Sequence, residues 1–569
     1  MVAHDVELES WSSPELPIES AEPSRAALRV RFASGGGLAE SLSGDALWNP
    51  TSQRLELSSQ WQRLTITKKL WQTAPEFPDA AWERLHAFEA IADGTMQLVM
   101  EQGRVEDFLV QGTVEQGRYR DPLLKGTFES IQGQFHLTPT LAQLRSLQAR
   151  FGETSLELDL DRKGWQSNAP LHARWNLKRL RIDSNLATAL PAKVQDTLQR
   201  LQLTGWIDAK GDASFDGQQW HPEAWVQLNE GAMMADVFPY AVEQLAGLFH
   251  YRNGVVIAPH LTASANGQQL TGSIQMQKAE PKWWIDLELR SEAAVPITPP
   301  LLAALTPRGQ PATRLESFVR SLHPQGRVHL KGARFRRGPE APDRLSKWIE
   351  LQCFDGAIRY DRFQYPVFDI QGQVIVDNEV LILKDLQGRN DSARIVAQGR
   401  CILSSQRLDE LQLQFDASDL PLEEELQRAL PDSVRDLWEQ VQPSGTLDSV
   451  QVKLSLQQPG EPLGMEVEIR ETGMDRAGSG HRVTLRPLAL PYLLHDVSCH
   501  LLYRPGSLDI LQMKGYHETS LVKTEGSCRA MTELPSQKLG TSTSISKTVG
   551  CAAVRVHRPS AAQSPFKVI

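Results

Sequence analysis

Residues 430–456 read LPDSVRDLWEQVQPSGTLDSVQVKLSL, and the spacing of their apolar residues changes at Gly445. Before it, Val434, Leu437, Trp438 and Val441 recur at helical spacing, behind a proline suited to a first helical turn. After it, Val450, Val452, Leu454 and Leu456 alternate with polar residues, which gives a strand one apolar and one polar face. The same order recurs upstream at FPDAAWERLHAFEAIADG (77–94), LPAKVQDTLQRLQLTG (190–205) and QPATRLESFVRSLHPQG (310–326). In all four copies 14 to 16 residues separate the proline from the closing glycine. Those glycines, Gly94, Gly205, Gly326 and Gly445, lie 111, 121 and 119 residues apart, and an aromatic-proline signature at Pro122, Pro239, Pro366 and Pro491 keeps step. A period this long predicts a large supersecondary unit repeated along the chain.

Alternation continues through Leu411, Leu413 and Phe415; Met465, Val467 and Ile469; Leu156, Leu158 and Leu160; and Ile285, Leu287 and Leu289. The joins are short and rich in Gly, Asn and Asp, so antiparallel meanders are expected. Roughly seven strands per repeat predict about 30 strands, and a sheet on the order of 140 Å long at about 4.8 Å per strand. The expected fold is mainly β, an elongated, twisted antiparallel β-groove with one short helix per module. The segments are a tail (1–24), a partial β module (25–76), modules at 77–189, 190–309, 310–429 and 430–530, and a Ser/Thr-rich tail (531–569) expected to be disordered.

Composition narrows the function classes. With 60 Lys and Arg against 69 Asp and Glu, interspersed, no basic patch exists for nucleic acid, and none is expected as a partner. Five cysteines without a CxxC pair argue against a disulfide framework or zinc knuckle. The acidic N-terminus has no signal-peptide pattern, and no segment carries 18 uninterrupted apolar residues. His495, Cys499, His500 and His517 form the one group with metal-ligand chemistry. Their spacing fits no zinc pattern, and strict alternation puts His495 and Cys499 on one face. Gly478-Ser479-Gly480 is a polar turn rather than a nucleophile elbow. Asp159 and Asp161 alternate with leucines and read as the solvent face of a strand. Trp206, Trp220, Trp225, Trp283, Trp284 and Trp348 read as sheet packing. No catalytic residue, metal or cofactor is expected.

Two segments share a finer pattern. FDGAIRYDRFQYPVFDIQGQVIVDNEVLILKDLQGRNDSARIVAQGR (354–400) and NEGAMMADVFPYAVEQLAGLFHYRNGVVIAPHLTASANGQQLTGS (229–273) both read Gly-Ala, aromatic-Pro, Gly, apolar strand, Gly. With the helix, glycine and strand order, over roughly 80–530, the chain resembles the AsmA-like family of bacterial envelope proteins. The resemblance implies a half-open β-groove that carries phospholipid acyl chains between inner and outer membranes, without enzymatic chemistry. It also implies a periplasmic place at the inner membrane. Family members are longer and carry an N-terminal anchor, so a missing anchor segment or a membrane-anchored partner is expected. The residues expected to line the groove are Val450, Val452, Leu454, Leu456, Met465, Val467, Ile469, Leu411, Leu413, Ile285 and Leu287. The alternatives are an assembly scaffold for outer-membrane biogenesis working through exposed sheet edges, or a carbohydrate-active enzyme. The latter needs paired carboxylates in a cleft.

Overall fold

The computed structural model describes residues 5–11, 27–71, 87–120, 126–190, 192–280, 282–404, 407–458, 462–472, 482–488, 492–529 and 554–556. The chain is mainly β and antiparallel, and its sheet is not closed into a barrel. Strand outweighs helix 69% to 9%, so the helices cannot form a layer over the sheet. Contacts divide the chain into two compact units. The first is 1–235 with 241–265 and 272–285; the second is 236–240, 266–271 and 286–569.

The chain opens with β1 (Asp5–Trp11), β2 (Ala27–Gly36), β3 (Ala39–Asn49), β4 (Arg54–Ile66) and α1 (Lys68–Trp71). Then come β5 (Phe88–Glu101), β6 (Arg104–Tyr119), β7 (Phe128–Leu137), β8 (Ala142–Phe151), β9 (Thr154–Arg162) and β10 (Leu171–Ile182). Helices α2 (Ser184–Ala189) and α3 (Ala192–Leu201) precede β11 (Thr204–Phe215) and β12 (Trp220–Ala235). Next are β13 (Phe238–Arg252), β14 (Val255–Ala265), β15 (Gln268–Gln277), β16 (Trp284–Ser291) and β17 (Val295–Pro296). After α4 (Pro299–Ala303) and α5 (Arg314–Ser321) follow β18 (Gln325–Arg337), β19 (Ser346–Tyr360), β20 (Phe363–Asp377), β21 (Val380–Asn390), β22 (Ala393–Ser404) and β23 (Arg407–Pro421). The last helices are α6 (Glu424–Ala429) and α7 (Asp432–Val441). Beyond them lie β24 (Pro443–Ser444), β25 (Thr446–Leu456), β26 (Gly464–Glu471), β27 (Thr484–Leu485), β28 (His495–Arg504), β29 (Ser507–His517), β30 (Ser520–Arg529) and β31 (Val554–Val556).

Neighbouring strands are joined by tight hairpins. At Asn253-Gly254 and Asn266-Gly267 both turn residues have positive φ, the I′ geometry that matches strand twist. Three of the four expected helices are present, as α3, α5 and α7, and each is packed on a shorter helix just before it. The fourth is corrected in part. Phe88–Gly94 lies in β5, because Ala90 and Ala92 alternate into the sheet and are buried. Residues 77–86 of that stretch, like Gly478-Ser479-Gly480, lie outside the described residues. The tails also contribute pairing: β1 lies antiparallel to β2, and β31 to β30.

Gly205, Gly326 and Gly445 open β11, β18 and β25 at φ +147°, +106° and +110°. A Cβ on Gly326 would lie 2.6 Å from the Asp355 carbonyl oxygen. The repeated glycine therefore serves a close backbone crossing where a helix pair hands over to a sheet. Gly94 differs: it sits within β5 under the Trp61 ring.

The cores are small and local. Among the described residues thirty apolar side chains are buried, and fourteen of them are alanines, so no continuous layer of large side chains is sealed from water. In the first unit Ala90, Ala92 and Val114 pack with Ile66, Phe88 and Phe135. In the second, Leu426 and Ala429 of α6 close over Tyr365, Ala393, Leu420, Leu447, Val450, Val483, Leu485, Leu494 and Val497. Trp438 and Val441 of α7 pack against that cluster.

Candidate functional site

Residues directly opposite in an antiparallel pair share a face, so the registers trace which side chains form a row across each unit. In the first unit one row runs Leu42–Trp61–Gly94–Gly112–Phe135–Leu144–Leu160–Ala173–Ala213–Pro222, one residue from each strand β3 to β12. In the second unit a row runs Leu330–Leu351–Val374–Leu383–Gly399–Leu413–Leu454–Met465, from β18 to β26. A parallel row there runs Leu386–Ala397–Phe415–Val452–Val467–Tyr503–Leu508–Cys528. No charged residue interrupts any of the three. Every residue of the first two rows is half-buried, neither sealed nor free. That is the state of a side chain flanked by its neighbours on the sheet and open above.

Glycines flatten the first row. The ring of Trp61 lies over Gly94, that of Phe135 over Gly112, and that of Trp175 over Gly211 in the adjacent row. A Cβ on Gly211 would come within 2.8 Å of Trp175 Cζ2, so glycine is what lets the ring lie down on the sheet. The opposite faces are polar and cross-linked by exposed ion pairs, among them Arg145–Asp161 at 2.6 Å, Arg400–Glu410 at 2.8 Å and Arg504–Glu466 at 3.0 Å. Trp206 belongs to this polar side, under Arg179 and Arg181 at 5.3 and 5.7 Å. Trp225 stacks on His250 at 4.9 Å. Trp220, Trp283 and Trp348 are exposed.

The expected lining residues divide. Leu411, Leu413, Val452, Leu454, Met465, Val467 and Ile469 share one half-buried face of β23, β25 and β26. Val450 and Leu456 share that face and are buried, Val450 within the cluster closed by α6. Leu287 shares its face of β16 with Ile285. The intervening Asp286 and Glu288 pair with Arg334 on the other side, at 2.6 and 3.5 Å.

β-Bulges recur along the strands of each unit, and sequence alternation missed them. At Arg63, Ser146, Arg179, Asp355, Asp369, Asp385 and Asp496 the backbone turns to positive φ, between 50° and 56°, and the register shifts. Each bulge bends its strand and adds twist. At three of them the freed N–H donates to an aspartate on the next strand: Arg63 to Asp93 at 2.6 Å, Ser146 to Asp159 at 2.7 Å and Arg179 to Asp208 at 2.8 Å. Asp159 is thus a bulge clip, while Asp161 takes Arg145 and Gln143; both hold its carboxyl below the ordinary value against a desolvation that raises it.

The bulge at Asp496 also corrects the histidine geometry. His495 pairs with Tyr516 and Cys499 with Met513, which lie on opposite faces of β29, so His495 and Cys499 point apart. Each histidine is engaged elsewhere: His495 with Asp496 at 3.0 Å, His500 with Glu468 at 2.7 Å, His517 with the Leu493 carbonyl at 3.1 Å. Burial, with Glu471 beside it, pushes the Cys499 thiol up to about 12, and burial also raises Cys353 and Cys401. These thiols are inert as nucleophiles at neutral pH.

No family model, curated protein or solved structure matches the chain. No helix among the described residues is long and apolar enough to cross a membrane.

Proposed function

We propose that the apolar rows hold phospholipid acyl chains, and that the protein is a non-enzymatic lipid-transfer conduit of the bacterial cell envelope. The observation that carries this reading is the half-burial of every residue in two rows that cross ten and eight strands without a charge. Burying an acyl chain of about 16 carbons is worth on the order of 12 kcal/mol at roughly 0.8 kcal/mol per CH₂. An uncharged strip can supply much of that at each position, so a chain can shift along it without a deep well. The envelope setting, a place in the periplasm at the inner membrane, and a membrane-anchored partner or further anchor segment belong to the same proposal. They rest on the AsmA-like resemblance.

The test is native mass spectrometry of the purified chain, followed by photo-crosslinking from positions 413 and 452. Co-purified phospholipid, crosslinked from both positions and lost in Leu413→Asp, is the expected result. A lipid-free protein whose crosslinks reach only protein would overturn the proposal and leave the scaffold reading.

A further inference from the structure

The β21–β22 turn and the start of α6 bring three carboxylates together. Asp391, Glu423 and Glu425 each place an oxygen within 4.8 Å of the others. No cationic side chain pairs with any of the three among the described residues, in a protein whose exposed acids are repeatedly paired with arginine. Three like charges this close repel one another, and a bound cation would relieve that repulsion.

The surroundings point the same way, independently of the acids. Tyr365 on β20 is 4% exposed, and its hydroxyl has no hydrogen-bond partner. Oε1 of Glu423 is likewise buried and unpartnered. Tyr365 lies in the cluster that Leu426 and Ala429 of α6 close over, and its neighbour Pro366 is tied to Glu425 through Asn390. Buried polar atoms without partners are rare in folded proteins, and a ligand or its water is one way to satisfy these two. The side chain of Asn390, 2% exposed, donates to the Pro366 carbonyl at 2.9 Å and to Glu425 Oε2 at 3.1 Å. Glu425 is therefore held in place before anything binds.

We infer that Asp391, Glu423 and Glu425 form a binding site for a divalent cation of the calcium class, with Tyr365 beneath it. The donors are all carboxylate oxygens, hard ligands that suit Ca²⁺ or Mg²⁺ and not the thiolate- and imidazole-seeking metals. Calcium fits better, because it accepts irregular, partly bidentate oxygen shells, whereas magnesium demands a near-ideal octahedron. Bound there, the ion would tie the β21–β22 turn to α6, the helix that closes the core of the second unit.

The experiment is calcium titration of the full chain by isothermal calorimetry, with thermal melts in parallel. One saturable site is expected, with Kd on the order of 10⁻⁴ to 10⁻³ M as for exposed calcium sites with few protein ligands. Glu423→Gln/Glu425→Gln and, from the other segment, Asp391→Asn should each lose the binding heat and the calcium-dependent rise in Tm. The double variant should also melt above the calcium-free wild type, because the repulsion is gone; this readout shows that it folds. Absence of heat and of any Tm shift up to about 10 mM calcium, ten times the weakest such Kd, would overturn the inference. Equal binding by the variants would overturn it too. Displacement of calcium by equimolar magnesium would overturn the choice of ion.

Discussion

A glycine at φ +106° with a carbonyl oxygen 2.6 Å from its missing Cβ leaves little room for a substitute, and Gly326 is such a residue. Gly326→Ala must either strain the backbone or push β18 away from Asp355. A loss of about 1–3 kcal/mol, the usual cost of a disfavoured backbone conformation, is expected in urea unfolding. An unchanged midpoint would mean that the crossing relaxes freely. Asp159 offers a second test. Its carboxylate accepts the Ser146 N–H at the bulge, so Asp159→Ala should cost about 1 kcal/mol, and Asn, which keeps an acceptor oxygen, should restore most of it. Period-2 alternation placed Asp159 on the polar face but could not show what it holds. The seven bulge positions are four aspartates, Arg63, Arg179 and Ser146, so no single residue type marks a bulge, and aspartates stand at unbulged positions too. Each bulge inserts one residue and reverses the parity beyond it, and so counting from His495 to Cys499 put on one face two residues that point apart.

The helices work as caps on strand ends, and their packing faces are narrower than a helical wheel suggests. Leu437 belongs to the apolar spacing of α7, yet it is 40% exposed, and Trp438 and Val441 make the contacts with the core. Leu437→Asp, which the spacing alone marks as severe, is therefore expected to cost under about 1 kcal/mol. Trp438→Ala, which removes a large ring packed against the buried cluster of the second unit, should cost about 3 kcal/mol. Chemical denaturation of the two variants checks the order, and the reverse order would put α7 in another orientation. In α5 the capping residue Thr313 accepts the Glu316 N–H at 3.1 Å. The buried Glu316 carboxylate binds Thr306 Oγ1 and Arg320 Nε. Those two bonds, Thr306 first, hold the carboxyl below its ordinary 4.5. A depressed folded value means stability that is present above 4.5 and is lost as pH falls through the folded value. The urea-midpoint gap between wild type and Glu316→Gln should accordingly be present at pH 7 and close toward pH 3. A gap independent of pH would show that the charge is not what holds α4 and α5.

At the scale of the molecule, fold class was legible because alternation and hairpin chemistry are local signals, and both persist over hundreds of residues. The rows were legible only as single strands. Which residue stands beside which depends on register, and register depends on the bulges. Burial depends further on what closes over a strand: β25 is regular on both sides, yet Val450, under the cluster closed by α6, and Leu456 are buried, while Val452 and Leu454, indistinguishable in sequence, are half-open. Whether a face is open or sealed can be tested without assuming any ligand. Leu383 and Leu413 flank Gly399 in the uncharged row of the second unit. Burying two carboxylates in a sealed core costs several kcal/mol each and would unfold the unit. On an open face each carboxylate stays hydrated, and the change removes only apolar surface. Leu383→Asp/Leu413→Asp should thus keep the far-ultraviolet circular dichroism of the wild type and a Tm within a few degrees. It should also bind much less of a hydrophobic dye such as anilinonaphthalene sulfonate, because the uncharged strip is interrupted where the dye would lie. A variant that loses its β signal would show that another layer covers the row in solution. Full folding with undiminished dye binding would place the dye, and any acyl chain, somewhere other than this row.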